Sequence, residues 1–171
     1  MEMKVSKEKD AVFELYRITV RNMLASDKPG LVPNASHRHA SIIIEELIRS
    51  AVHSFFAYCG KMSPDVWTPE VKEQLRLAIL RGVDVRIILT EKVDELIPLF
   101  LKDRVCFLNM EKQGPYREAY ESIQHFAVTD NKSLRMEKNQ DTREAVFAAN
   151  HPDFAIELDK IFYHLKDAAC A

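Results

Sequence analysis

Between residues 123 and 137 apolar and polar side chains alternate with a period of two, the spacing of a strand whose successive side chains point to opposite faces. Read as a hairpin that turns through Asn131-Lys132-Ser133, with Asp130 opposite Leu134, this stretch gathers Phe126, Val128, Leu134 and Met136 on one face. His125, Ala127, Thr129, Arg135 and Glu137 fall on the other. A loop shorter by one residue mixes the two sets, so burial of an apolar face selects the longer loop. Asp130 then sits at the start of the turn, where its carboxylate accepts local backbone N–H groups.

Upstream, the apolar positions Val12, Phe13, Leu15, Tyr16, Ile18, Val20 and Leu24 predict a helix over 11–24. Ser26-Asp27-Lys28-Pro29-Gly30 and Pro33-Asn34-Ala35-Ser36 are turn chemistry, and Ile42, Ile43, Ile44, Leu47, Ile48 and Val52 predict a second helix over 37–52. Strand and helix patterns then alternate: strand 53–59, helix 69–81 stopped by Gly82, strand 83–89, helix 93–102 and strand 105–110. A polar connection over 111–122 leads into the hairpin, followed by a strand over 145–150 and a helix over 152–165 with Pro152 in its first turn. Strands joined through helices imply right-handed crossovers. The expected class is α/β, with a mixed, mostly parallel β-sheet flanked by helices over 37–171 and an N-terminal helical extension over 1–36.

The 171 residues, 47% of them hydrophobic, suffice for one sizeable core. A formal charge of −2 means that a nucleic-acid role would need a local basic patch. No run reaches the roughly 18–20 apolar residues that cross a bilayer, and 1–10 lacks the apolar centre of a signal peptide, so no membrane insertion and a cytoplasmic location are expected. Cys59, Cys106 and Cys170 are too scattered for a disulfide framework or a metal site. His37 and His39, beside a helix start that Ser36 or Ser41 caps, lack the further ligands of a metal centre. Neither a metal nor a cofactor is implied. Arg76, Arg81, Arg86 and Lys92 lie on different elements and would have to converge to track phosphates. Trp67, after Pro64-Asp65, reads as an anchor of its loop.

The helix Ile43-Ile44-Glu45-Glu46-Leu47-Ile48-Arg49-Ser50-Ala51, the strand after it, Met62-Ser63-Pro64-Asp65-Val66-Trp67, and the step Arg81-Gly82-Val83-Asp84-Val85-Arg86-Ile87-Ile88-Leu89-Thr90 together resemble the phospholipase D-like superfamily. With the hairpin, Ala148-Ala149-Asn150 and the last helix, the resemblance spans 40–166 and lies in the order of the pieces. Active members carry H-x-K-x4-D and a later asparagine; the resemblance implies that the histidine attacks phosphorus while lysine and asparagine hold phosphate oxygens. Here that motif is degenerate. With Asp130 in the aspartate position, His125 falls on the lysine and Ile123 on the nucleophile, and isoleucine forms no phosphohistidine bond. With His125 as nucleophile, Ala127 replaces the lysine and Lys132 the aspartate.

The expectation is a non-catalytic phospholipase D-like domain that acts as a homodimeric binding or regulatory module for a protein partner or a phosphate-containing ligand. Thr129, Arg135, Glu137 and Asn150 are its candidate ligand or anion-binding residues, with Arg135 as a fork-shaped donor oriented by Glu137. The bland alternative makes Arg135 and Glu137 an ordinary solvent-facing ladder, worth about 0.2–1 kcal/mol per pair. Two other functions compete. One is a metal-independent, nuclease-like phosphodiesterase using His125 from each subunit at a dimer seam; the other is a nucleic-acid-binding regulatory module.

Overall fold

The computed structural model describes residues 2–34, 36–139 and 144–170, with side chains from Asp10 onward. A seven-stranded sheet of order β1-β7-β6-β5-β2-β3-β4 carries helices on both faces. Its strands are β1 (Gly30–Asn34), β2 (Ser54–Cys59), β3 (Asp84–Leu89), β4 (Val105–Phe107), β5 (Phe126–Thr129), β6 (Ser133–Asn139) and β7 (Glu144–Ala149). The α/β class is as expected, but the sheet is mostly antiparallel: only β2–β3 and β3–β4 run parallel, while β1–β7, β7–β6, β6–β5 and β5–β2 are antiparallel. The reason is local. Hairpin chemistry joins β5 to β6, and helical crossovers are confined to the half of the sheet where α3 (Pro69–Leu80) links β2 to β3.

Two further departures have specific causes. Gly30–Asn34, within the segment read as turn chemistry, pairs with β7 as an edge strand, where Pro33 lacks a donor without disrupting the ladder; Ala35 lies outside the described residues. The helix expected over 93–102 is instead two 3-10 segments, Asp94–Leu96 and Leu99–Arg104, because Pro98 forces Ile97 into extended backbone (φ −94°, ψ 115°). The connection over 111–122 contains two 3-10 turns and the short helix α4 (Arg117–Glu121).

The hairpin keeps the expected faces in a different register. Thr129 pairs with Ser133 and Val128 with Leu134, so the three-residue loop is Asp130-Asn131-Lys132, one position earlier than the alternation suggested. Asp130 and Asn131 both have positive φ (53° and 51°), which these short polar residues tolerate and a primed turn requires. Parity is preserved, so Phe126, Val128 and Leu134 still share a face, packed beneath α5 (Pro152–Cys170) through Leu158, Phe162 and Leu165. Asp130 caps no local turn. Its carboxylate accepts from the backbone N–H groups of Val52, His53 and Ser54 at 2.8 Å each, tying the hairpin tip to the junction of α2 (His37–Ser50) and β2.

α2 lies between the sheet and α1 (Glu2–Ala25), and therefore even its carboxylates are covered: Glu45 is 6% and Glu46 1% exposed. Arg17 and Arg21 from α1 and Arg49 from α2 reach them at 2.6–3.6 Å. Burial works to raise the Glu46 carboxyl, yet the hydrogen bonds and charges of these arginines outweigh it and hold the group below its usual range.

Candidate functional site

The Glu137 N–H donates to the His125 carbonyl at 2.8 Å, which sets the two side chains abreast on the α2 face of the sheet. His125 Nδ1 lies 3.1 Å from Glu137 Oε2, and both terminal nitrogens of Arg135 lie 3.5 Å from Glu137 Oε1. This is no solvent-facing ladder, because the face lies under α2: Arg135 is 6% and Glu137 7% exposed. Burial works to lower the Arg135 guanidinium and prevails over the Glu137 charge and hydrogen bonds that raise it, so its affinity for the proton falls below the ordinary arginine value. It still remains a cation at neutral pH.

Around this group the ends of the parallel strands β2 and β3 close a recess of about 120 Å³. Gly60 and Lys61 follow β2, and Glu91 follows β3; Thr90 and Glu91 both donate backbone N–H groups to the Gly60 carbonyl. Ser63, Val66, Trp67, Ile44 and Ala57 line the recess together with the polar group His125, Arg135 and Glu137. A side chain at Gly60 would bring its Cβ to 3.0 Å from Glu91 Oε1 and 3.6 Å from His125 Cε1, so this glycine permits the close approach of the two groups. Lys61 Nζ lies 3.5 Å from Glu91 Oε2. Trp67 is 3% exposed and anchors its loop from within. Burial pushes the Cys59 thiol up to about 12, with Glu137 adding to the effect, so that sulfur is no nucleophile near neutral pH.

With Glu137 accepting from Nδ1–H, the second imidazole nitrogen carries the lone pair, and Nε2 has no partner among the described residues. Such a nitrogen can accept a hydrogen bond from a ligand. Two of the residues singled out with this group lie elsewhere. Thr129 donates its hydroxyl to the Ser54 carbonyl at 2.9 Å, and Asn150, in positive φ (58°), donates Nδ2 to the carbonyls of Met23, Ser26 and Lys28. Asn150 therefore fastens the turn after α1 to the sheet. The basic residues do not converge: Arg76 pairs with Glu73, Arg81 caps the end of α2, Arg86 pairs with Asp84 and Lys92 lies over Phe107. Ser36 is the N-cap of α2, and no cluster of three metal-ligating side chains occurs among the described residues.

Lys61, Ser63 and Glu91 were not singled out from the sequence. The signal that could have found them is positional: loops at the carboxyl ends of parallel strands are where open α/β sheets bind ligands. A glycine directly after β2 and a Thr-Glu pair directly after β3 occupy those ends.

No family model matches the sequence, and no curated protein sequence matches it. Solved structures do match. NucT from Helicobacter pylori superposes with a TM-score of 0.59 at 15% identity, covering 82% of this chain and 96% of NucT. Nuc from Salmonella typhimurium, a phospholipase D family member, gives 0.52 at 18% identity over 82% of this chain and 94% of its own. TrmBL2, an archaeal chromatin protein described as having a novel mode of DNA binding, gives 0.60 at 12% identity over 98% of this chain, which spans 64% of TrmBL2. At these identities the likeness concerns architecture, and it agrees with the order of elements along the chain: the fold is phospholipase D-like.

Proposed function

We propose that this chain is a phospholipase D-like binding domain whose recess beside His125 holds a small phosphate-containing ligand without hydrolysing it, and that it works as a homodimer. The observation that carries this reading is the engagement of the cations. Arg135 is buried against Glu137 and Lys61 is drawn to Glu91, while Ala127, two residues beyond His125, is buried in the sheet. Phosphoryl transfer rests on a nucleophile flanked by positive groups aimed at the phosphate oxygens, and losing such a clamp costs orders of magnitude in rate. A bound hydrogen phosphate would donate its O–H to His125 Nε2, accept from the Ser63 hydroxyl and recruit Lys61 from Glu91. The test is hydrolysis of bis(p-nitrophenyl) phosphate by pure protein in EDTA, alongside thermal unfolding with inorganic phosphate. Expected are no turnover and a phosphate-dependent rise in Tm that His125→Ala abolishes. Turnover that vanishes in His125→Ala would overturn the reading.

That turnover is the content of a second reading, a metal-independent phosphodiesterase with His125 as its nucleophile. The Glu137 contact to Nδ1 favours it, because a carboxylate-oriented imidazole presents its other nitrogen ready to attack. A third reading, nucleic-acid binding, draws on the likeness to TrmBL2, whose match takes in α1 as well as the α/β layer. It predicts binding of a fluorescent DNA duplex that weakens steeply as salt rises.

A further inference from the structure

β4 begins at Val105, opposite Ile87, so Asp84, Val85 and Arg86 at the start of β3 pair with no residue of β4. Beside them lies a cavity of about 460 Å³, bounded by α3, the 3-10 segment Leu99–Arg104 and α5. None of the described residues that line it also lines the recess beside His125. Its volume falls within the roughly 300–1,000 Å³ of small-molecule sites. Ile79, Ile88, Phe100 and Phe162 supply its apolar lining, and Phe100 is 39% exposed. The charged lining is basic on balance, with Arg86, Arg104 and Lys166 against Asp84 and Asp103. Arg86 Nε donates to both Asp84 carboxylate oxygens at 3.0 Å. Arg104 and Lys166, both half-buried, enter no ion pair among the described residues, and Lys166 Nζ lies 5.8 Å from the Tyr163 ring centroid.

We propose that this cavity binds a small aromatic monocarboxylate, its ring against Phe100 and Ile79 and its carboxylate on Arg104 and Lys166. Charge selects the head group. With Arg86 and Asp84 satisfying one another, a guanidinium and an ammonium remain beside a single acid, Asp103. The surplus is one positive charge, which complements a carboxylate better than a doubly charged phosphate. A guanidinium grips a carboxylate through two parallel N–H donors, and such bonds strengthen where water is partly excluded. The apolar lining selects the body. Phe100 and Ile79 are only partly covered, so a planar ring laid on them removes apolar surface from water and gains an aromatic pair with Phe100.

The test is a calorimetric titration of the full chain with 2-naphthoate, with the neutral 2-naphthalenemethanol as control and amide NMR shifts to place the ligand. Expected is saturable binding of one naphthoate per chain, with shifts concentrated at Phe100, Arg104 and Lys166 and none at Lys61 or Glu91. The neutral alcohol should bind at least about tenfold more weakly, the factor set by hydrogen bonds to a charged group. Arg104→Gln should weaken naphthoate binding by a similar factor, and Ile79→Trp, which fills the cavity, should abolish it. Lack of saturable binding, equal affinity for the alcohol, unchanged affinity in Arg104→Gln, or shifts of the wild-type chain gathered around His125 would overturn the proposal.

Discussion

Arg135 keeps its charge beneath α2 because Glu137, two residues along the same strand, supplies the opposite one, and neither side chain is well solvated once buried. Removing one partner of such a pair leaves the other uncompensated, which costs far more than the pair contributes over an apolar replacement. Arg135→Ala should therefore lower the unfolding free energy by about 3–5 kcal/mol in urea titrations, while Arg135→Met together with Glu137→Leu should recover most of that loss. Asn150 invites a different dissection, since it combines a left-handed backbone with donation to three carbonyls. Asn150→Gly relieves the backbone requirement and loses the bonds; Asn150→Ala loses both. The alanine variant should be the less stable of the two by about 1 kcal/mol.

Elements explain why the hairpin's faces were legible while its loop was not. Alternation carries parity, so Phe126, Val128 and Leu134 could be assigned to one face before any partner strand was known. A shift of the loop by one position at each end preserves parity, and pattern alone cannot distinguish the two ladders. What selects the observed one is Asp130, whose carboxylate gathers three backbone N–H groups from a segment more than seventy residues earlier in the chain. Asp130→Asn keeps the tolerance of positive φ but replaces half of that acceptor with a donor. It should cost about 1.5–3 kcal/mol by denaturant unfolding, the range for hydrogen bonds to a charged group. The 3-10 turns around Pro98 are the converse case. There the apolar spacing was helical, and one ring with no N–H overrode it.

At the scale of the whole molecule, pH and assembly are the accessible variables. Burial pushes the Asp159 carboxyl from 3.8 up to about 6, and its Oδ1 has no partner among the described residues. A carboxyl that binds its proton more tightly when folded contributes stability below the unfolded value and loses that contribution as pH rises through the folded one. Thermal unfolding should thus show Asp159→Asn to be more stable than the parent at pH 7, by about 1 kcal/mol or less given the group's partial solvation. The advantage should vanish below about pH 4. On the outer side of α1, Val12, Leu15 and Ile18 are 60%, 64% and 43% exposed, an apolar strip left uncovered by the described residues. If the chain pairs through it, light scattering should give a dimer, and Leu15→Glu should shift the population to monomer.

The order of apolar and polar residues was enough to establish the α/β class, the length and place of most elements, and the faces of the hairpin, because side-chain periodicity is a property of the local backbone. It also brought out His125, Arg135 and Glu137 as neighbours, since residues two apart on one strand or facing across a hairpin meet wherever the sheet lies. It left open whether that group faced water, and it allotted Thr129 and Asn150 to the same cluster. Those outcomes depend on contacts between distant segments: α2 covers the polar face and buries its charges, the Ser54 carbonyl takes the Thr129 hydroxyl, and the turn after α1 takes the Asn150 amide. The recess, too, exists only because β2 and β3 end side by side and bring Lys61 and Glu91 to His125, a meeting that follows from the packing of the parallel pair and leaves no trace in the spacing along the chain.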